Sequence, residues 1–298
     1  MNEETIIRRV SAVGVGGNIL LSAIKLWAGV AGRSAALVSD AVHSLSDVLA
    51  SLTAWLGVRL GRRPADEGHP YGHERFECLA SLALGLLLTL TALGIGRGGV
   101  KALLTGGSSP SPGTAALWGA AVSIAVKEAM FRYVRHYAGV LGSSAFLADA
   151  WHHRSDALSS VGSLLGAAGA MAGYPALDSA ACVVICLFIL RLARDVLRDA
   201  LSRLLDSSCG AEKEQELSDF IEAQEGVIAL DLLRSRRFGD RLYLDAEIAV
   251  DAEQSLAEAH RVAEAVHDAV ERRFPEVKHI MIHENPAAGT VGSRAFPP

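Results

Sequence analysis

The sequence predicts an α-helical membrane protein, with six transmembrane helices followed by a small α+β cytoplasmic domain. Three observations carry this. Half of the 298 residues are hydrophobic and mean hydropathy is +0.28, too apolar for an ordinary soluble domain. Apolar stretches long enough to cross a bilayer core of about 30 Å alternate with short polar or Gly/Pro-rich connectors. From Asp206 onward the composition turns to that of a soluble domain with both strand and helix periodicities.

The spans follow in order. The first runs from Val10 to Ala31 and carries Asn18 and Lys25, a lysine that either snorkels to an interface or faces the bundle interior. Arg8 and Arg9 before an apolar stretch imitate a signal peptide, but no small-residue cleavage site follows, so a retained helix is expected. After the turn Gly32-Arg33-Ser34, the second span covers Ala35 to Leu60. A polar connector from Gly61 to Arg75 leads to the third, Phe76 to Ile95, which is expected to end in a loop over Gly96 to Gly113. The fourth, Thr114 to Tyr137, holds Lys127 and Glu128. The fifth, Ser143 to Met171, is broken by Gly173-Tyr174-Pro175, and the sixth is Ala176 to Leu197. Arg8, Arg9, Arg59, Arg62, Arg63, Arg75, Arg132, Arg135, Arg194 and Arg198 fall on the terminus-bearing side, against Arg33, Arg97 and Lys101 opposite. By the positive-inside rule both termini are cytoplasmic.

In the soluble part, Glu212 to Gln224 reads as a charged helix, and Val227 to Ser235 and Arg241 to Val250 as strands. Ser255 to Phe274 reads as an amphipathic helix opened by a Ser255/Glu258 capping box, and Val277 to Ile282 as a third strand. The order is αββαβ, an open sheet with helices on one face. Residues 1–205 form the membrane domain and 206–286 the cytoplasmic domain, with 287–298 expected as a disordered tail.

The chemistry lies in a repeated motif. Asp40-Ala41-Val42-His43 to Ser51 and Asp149-Ala150-Trp151-His152 to Ser160 both read Asp-Ala-x-His-x-x-Ser-Asp-x-Leu-x-Ser. On a helix, His43 and Asp47 share a face, as do His152 and Asp156. Two such helices facing each other present two imidazoles and two carboxylates, a tetrahedral set for a divalent transition metal. Ionisable residues in a span are costly and therefore functional by default. Metal and protons compete for the same four ligands, so the set exchanges M2+ for H+ if it opens alternately to each side. Asp40 and Asp149 are helix-end caps or outer partners of the histidines, and His153 points about 100° away from His152 and lies outside the site. In the connector, Asp66, His69 and His73 are either ligands of another ion or parts of a tight turn.

Other classes are disfavoured. Net charge is −5 without a basic tract, against nucleic acid. Cys78, Cys182, Cys186 and Cys209 contain no CxxC pair; Cys182 and Cys186, on one helix face within an apolar run, read as packing residues, and no structural disulfide is expected. No HExxH motif or spare glutamate beside the ligands supports an intramembrane metalloenzyme. Loss of one motif would favour a non-transporting metal-sensing scaffold, and both are intact.

The paired motifs, the His69-Pro70-Tyr71-Gly72-His73 connector and the αββαβ tail resemble the cation diffusion facilitator family over nearly the whole chain. The resemblance implies a homodimeric, proton-coupled exporter of divalent metal, with a ferredoxin-like cytoplasmic domain that dimerises and senses metal. The high Ala, Gly and Arg content, with a minimal tail and no His-rich loop, fits a member in a bacterial inner membrane. It places the transport site on His43, Asp47, His152 and Asp156, in the zinc-selective pattern, with Fe2+ or Co2+ as alternatives on the same ligands. It places a loop site on Asp66, His69 and His73 and a cytoplasmic site on Asp231, Glu247, His260 and His283. Asn285 stands there where an acidic ligand is usual. It implies a charge lock between Arg75 and Asp206, which also read as interface-snorkelling charges.

Overall fold

The computed structural model describes residues 3–31, 35–105, 114–171, 176–239 and 241–287. The expected turn at Gly32, most of the Gly/Ser/Pro loop, the break at Gly173 and nearly all of the tail lie outside the described residues, as do the side chains of Asp40, His43 and Cys182. The chain divides into two compact units, Met1–Leu201 and Ser202 onward.

The first unit contains α1 (Glu3–Ala31), α2 (Ala35–Gly61), α3 (Arg75–Thr105), α4 (Thr114–Leu141), α5 (Ser144–Met171) and α6 (Ala176–Leu204, whose last turn enters the second unit). Among the described residues, two of these, over Glu3–Trp27 and Arg75–Thr105, are long and apolar enough by composition alone to cross a membrane. In α2 and α5 the charged motif residues lie within the apolar run, and in α4 Lys127 and Glu128 do. The third helix corrects an expectation. It does not stop at Ile95 but runs to Thr105. Gly96 is a packing residue there, since a Cβ at that position would collide with the Cys186 sulfur of α6. Glycine at a close helix contact serves approach rather than termination.

Small residues bring the central helices together. Ala50 and Ala54 of α2 and Ala145, Ala148 and Ala150 of α5 are all buried in one core with Leu84, Phe131 and Val134. Gly57 of α2 meets Ala80 of α3 so closely that a Cβ would clash with the alanine methyl and come within 3.3 Å of the Phe76 carbonyl. At one end Arg62 acts as a clamp. It donates to Glu3 Oε2 at 2.8 Å and to the Leu141 carbonyl at 2.7 Å, and lies 3.7 Å from Glu77. Leu88 and Ala92 of α3 pack against Ile189 and Ala193 of α6.

The second unit continues with α7 (Ala211–Glu222), β1 (Ala229–Phe238), β2 (Arg241–Val250), α8 (Leu256–Arg273) and β3 (Val277–Pro286). Strand order is β1-β2-β3, with β1 and β2 antiparallel and β2 and β3 parallel. The element order is the αββαβ read from the sequence, and β3 extends four residues further than expected. Leu217, Ile221, Leu244, Ile248, Val266, Val270 and Phe274 form its core. The Glu258 carboxylate accepts from the Ser255 N–H at 2.9 Å and its hydroxyl at 2.7 Å, opening α8 as expected.

Candidate metal-transport site

The site is built where α2, α4 and α5 meet. Asp47 comes from α2, and His152 and Asp156 lie one turn apart on α5. All three are buried, and one ligand atom from each falls within 4.8 Å of the others. His152 Nε2 lies 3.5 Å from Asp47 Oδ1 and 3.9 Å from Asp156 Oδ2. Three of the four expected ligands therefore converge. The fourth, His43, precedes Asp47 by one helical turn on α2, with its side chain outside the described ones.

The fourth helix adds a residue given no role by the motif. Lys127 Nζ donates to Asp47 Oδ2 and to Asp156 Oδ2, each at 2.7 Å, and the residue is 1% exposed. The sequence does carry a signal for it. Lys127, Phe131, Val134 and Ala138 are buried on one stripe at helical spacing, so the lysine lies on the inward face. A charge on the inward face of a span calls for a partner.

His153 turns elsewhere, as its angular offset predicts. Its Nε2 stands 3.5 Å from Asp149 Oδ2, and Ser51 Oγ donates to Asp149 Oδ1 at 3.1 Å. Asn18 Nδ2 donates in turn to Ser51 Oγ at 3.4 Å. Asp149 is thus a buried link between α1, α2 and α5, not a helix-end cap. Gly14 admits it, since a Cβ there would sit 3.0 Å from Ser51 Oγ and 3.5 Å from Asp149 Oδ2. Lys25 also faces inward, donating to Ser44 Oγ at 2.9 Å.

The connector gathers Asp66, His69 and His73. Asp66 Oδ1 accepts from the backbone of Gly68 at 3.0 Å and of His69 at 2.7 Å, an Asx-type turn. His73 Nδ1 faces the Pro64 carbonyl at 3.1 Å, which fixes the proton on Nδ1 and leaves Nε2, 3.4 Å from Asp66 Oδ2, as the donor atom for a cation. Turn and ligand set are the same residues. The backbone hydrogen bond from His69 holds the Asp66 carboxyl below the usual carboxylate value.

Of the cytoplasmic set expected from the sequence, His260 stands apart from Asp231, Glu247 and His283. Asp231 and Glu247 both accept from the Asn285 amide, at 2.9 and 3.2 Å. His283 pairs with Glu247 in the strand register. His260 faces Glu264 and Glu284 instead, at 3.6 and 3.7 Å. The physical reason is the alternation of β3, which sends Glu284 and Asn285 to opposite faces. A different group forms among the described residues: His267 and Glu271, one turn apart on α8, with His279 of β3. Glu271 Oε1 lies 2.9 Å from His267 Nε2 and 3.6 Å from His279 Nδ1. Arg75 opens α3, whereas Asp206 follows α6 in the left-handed region at φ 54°. The two belong to different units.

Comparison with known proteins accounts for both units. Residues 11–205 match the cation efflux transmembrane domain, and residues 209–287 the cytoplasmic domain of cation efflux proteins. The chain belongs to the cation diffusion facilitator family. It is accordingly an integral membrane protein for divalent metal cation efflux. An uncharacterized transporter of Methanocaldococcus jannaschii is 36% identical over 272 residues, 90% of this chain and 94% of that one. Metal tolerance protein C1 of Arabidopsis thaliana is 33% identical over 94% of this chain, which spans 62% of that relative's length. The manganese efflux system protein MneP of Bacillus subtilis is 28% identical over 95% and 97% of the two chains.

Proposed function

We propose that this cation diffusion facilitator exports Zn2+ from the cytoplasm in exchange for protons, through six spans with both termini cytoplasmic in a bacterial inner membrane. The observation that carries the reading is the convergence of Asp47, His152 and Asp156 in a buried site. Two carboxylates and two imidazoles, with His43 as the fourth ligand, suit zinc in tetrahedral geometry, whereas Mn2+ prefers an all-oxygen set. A divalent ion with two neutral imidazoles balances the two aspartates, and protons replace it on the same atoms when it leaves.

The cytoplasmic domain pairs two copies of the chain and senses metal in this reading. The His267, Glu271 and His279 group supports sensing better than Asp231, Glu247, His260 and His283, because its donors are already gathered. Asp66, His69 and His73 serve as an accessory loop site in this reading.

Metal-driven proton flux in proteoliposomes tests the proposal, with Zn2+, Cd2+, Fe2+, Co2+ and Mn2+ compared for wild type and Asp47→Ala. Zn2+-driven flux that Asp47→Ala abolishes is expected. Flux with Fe2+, Co2+ or Mn2+ but not Zn2+ keeps the efflux function and overturns the choice of metal. Binding without flux for any metal overturns transport in favour of a scaffold.

A further inference from the structure

The export reading leaves Lys127 without a task, yet its ammonium stands where the cargo binds. It lies 2.7 Å from one oxygen of each aspartate, Asp47 Oδ2 and Asp156 Oδ2, and its side chain is 2% exposed. Asp156 Oδ2 is also the oxygen that faces His152 Nε2. Zinc takes carboxylate oxygens at about 2.0–2.2 Å, so an ion held by His152 and Asp156 shares that oxygen with the ammonium and comes within about 5 Å of it. Two cations at that separation in a water-poor site repel strongly. The lysine and the metal are therefore alternatives for the same pair of carboxylates.

We propose that Lys127 is a tethered cation that competes with the transported metal for Asp47 and Asp156. The metal displaces the ammonium to bind, and the returning ammonium helps to drive the metal off. This rests on the export reading of the same site and adds a specific role to it. A transporter must bind its cargo weakly enough to let it go, and a competitor on a flexible four-carbon stem provides that without an external ligand. Through the return step the ammonium shares the emptied carboxylates with the protons that replace the metal, so neither carboxylate is left as an unpaired charge in a region of low dielectric. An architectural salt bridge predicts the opposite sign: its loss loosens the helices and weakens metal binding or leaves it unchanged.

The test is equilibrium binding of radioactive Zn2+ to the purified full chain, with net transport and Zn2+-for-Zn2+ exchange in proteoliposomes. Wild type, Lys127→Gln, Lys127→Arg and Asp47→Ala are compared, the last subtracting binding elsewhere in the chain. Lys127→Gln is expected to lower Kd at the Asp47-dependent site at least tenfold and to slow net export several-fold. Exchange should stay within about twofold of wild type, because only net export needs the emptied site to return. Lys127→Arg keeps the charge and should bind near the wild-type value. Unchanged or weaker binding by Lys127→Gln overturns the proposal. A wild-type chain whose Zn2+ binding and transport do not depend on Asp47 overturns the export site itself, a separate outcome. If Lys127→Gln does not fold, side-chain nitrogen NMR of the wild type decides. The lysines are Lys25, Lys101, Lys127, Lys213 and Lys278, and the signal missing from Lys127→Arg must shift on adding Zn2+. A signal that stays in place overturns the proposal.

Discussion

Adjacent histidines on α5 have separate tasks, and substitution distinguishes them. His152 Nε2 faces both site aspartates, whereas His153 faces Asp149 within the Ser51 and Asn18 network. His152→Ala is expected to weaken Zn2+ binding at the Asp47-dependent site at least tenfold. His153→Ala should leave that affinity within about twofold while lowering thermal stability, because it strips a partner from a buried carboxylate. Binding and melting curves of the purified chain check both. Asp66 gives a pH prediction at the same scale. Its carboxyl is depressed in the fold, so its contribution is present above the unfolded value and lost as pH falls through the folded one. Protection of the His69 amide should disappear in acid, below about pH 4, as hydrogen exchange with mass spectrometry would show. Protection that persists there removes Asp66 as the organiser of the turn.

At the scale of elements, close approach depends on absent side chains. Gly57→Ala places a methyl against the Ala80 side chain and the Phe76 backbone, neither of which can swing aside. A destabilisation of about 1–3 kcal/mol is expected from overpacking between α2 and α3, read from thermal unfolding in detergent. A fully tolerated alanine would mean that the two helices separate easily. In the cytoplasmic domain, α8 and β3 together hold His267, Glu271 and His279. In a chain also carrying Asp47→Ala, His279→Ala should remove more residual Zn2+ binding than His260→Ala. Equal effects would return the sensing site to the set expected from sequence.

For the whole molecule, the proposal makes pairing a property of the cytoplasmic unit. Light scattering of the full chain in detergent should give the mass of two copies, and deletion of residues 206–287 should shift it toward one. A full chain that stays monomeric at micromolar concentration rejects the homodimer. The two units are separate compact bodies. The composition of the sequence changes near Asp206.

Much of the molecule is legible in the sequence because short-range periodicity writes it. Apolar runs mark the long helices, alternation marks β1 and β2, and the i, i+4 spacing by itself puts His152 and Asp156 on one face. The Ser255/Glu258 box names the start of α8 because its geometry spans a single turn. Packing decides the rest. Gly96 reads as a breaker in one dimension and becomes a contact only beside Cys186. Asp149 reads as a cap or as an outer partner of a histidine, and the choice is made only when Ser51 and Asn18 arrive from other helices. His279 acquires Glu271 through pairing of distant elements, while His260 loses its expected partners through the alternation of β3. Lys127 lies 80 residues from Asp47 and 29 from Asp156, too far for any local rule to join them. Sequence determines which groups a helix presents on each face; which groups meet is decided by how the helices pack, because hydrogen bonds and charge pairs form only at a few ångströms.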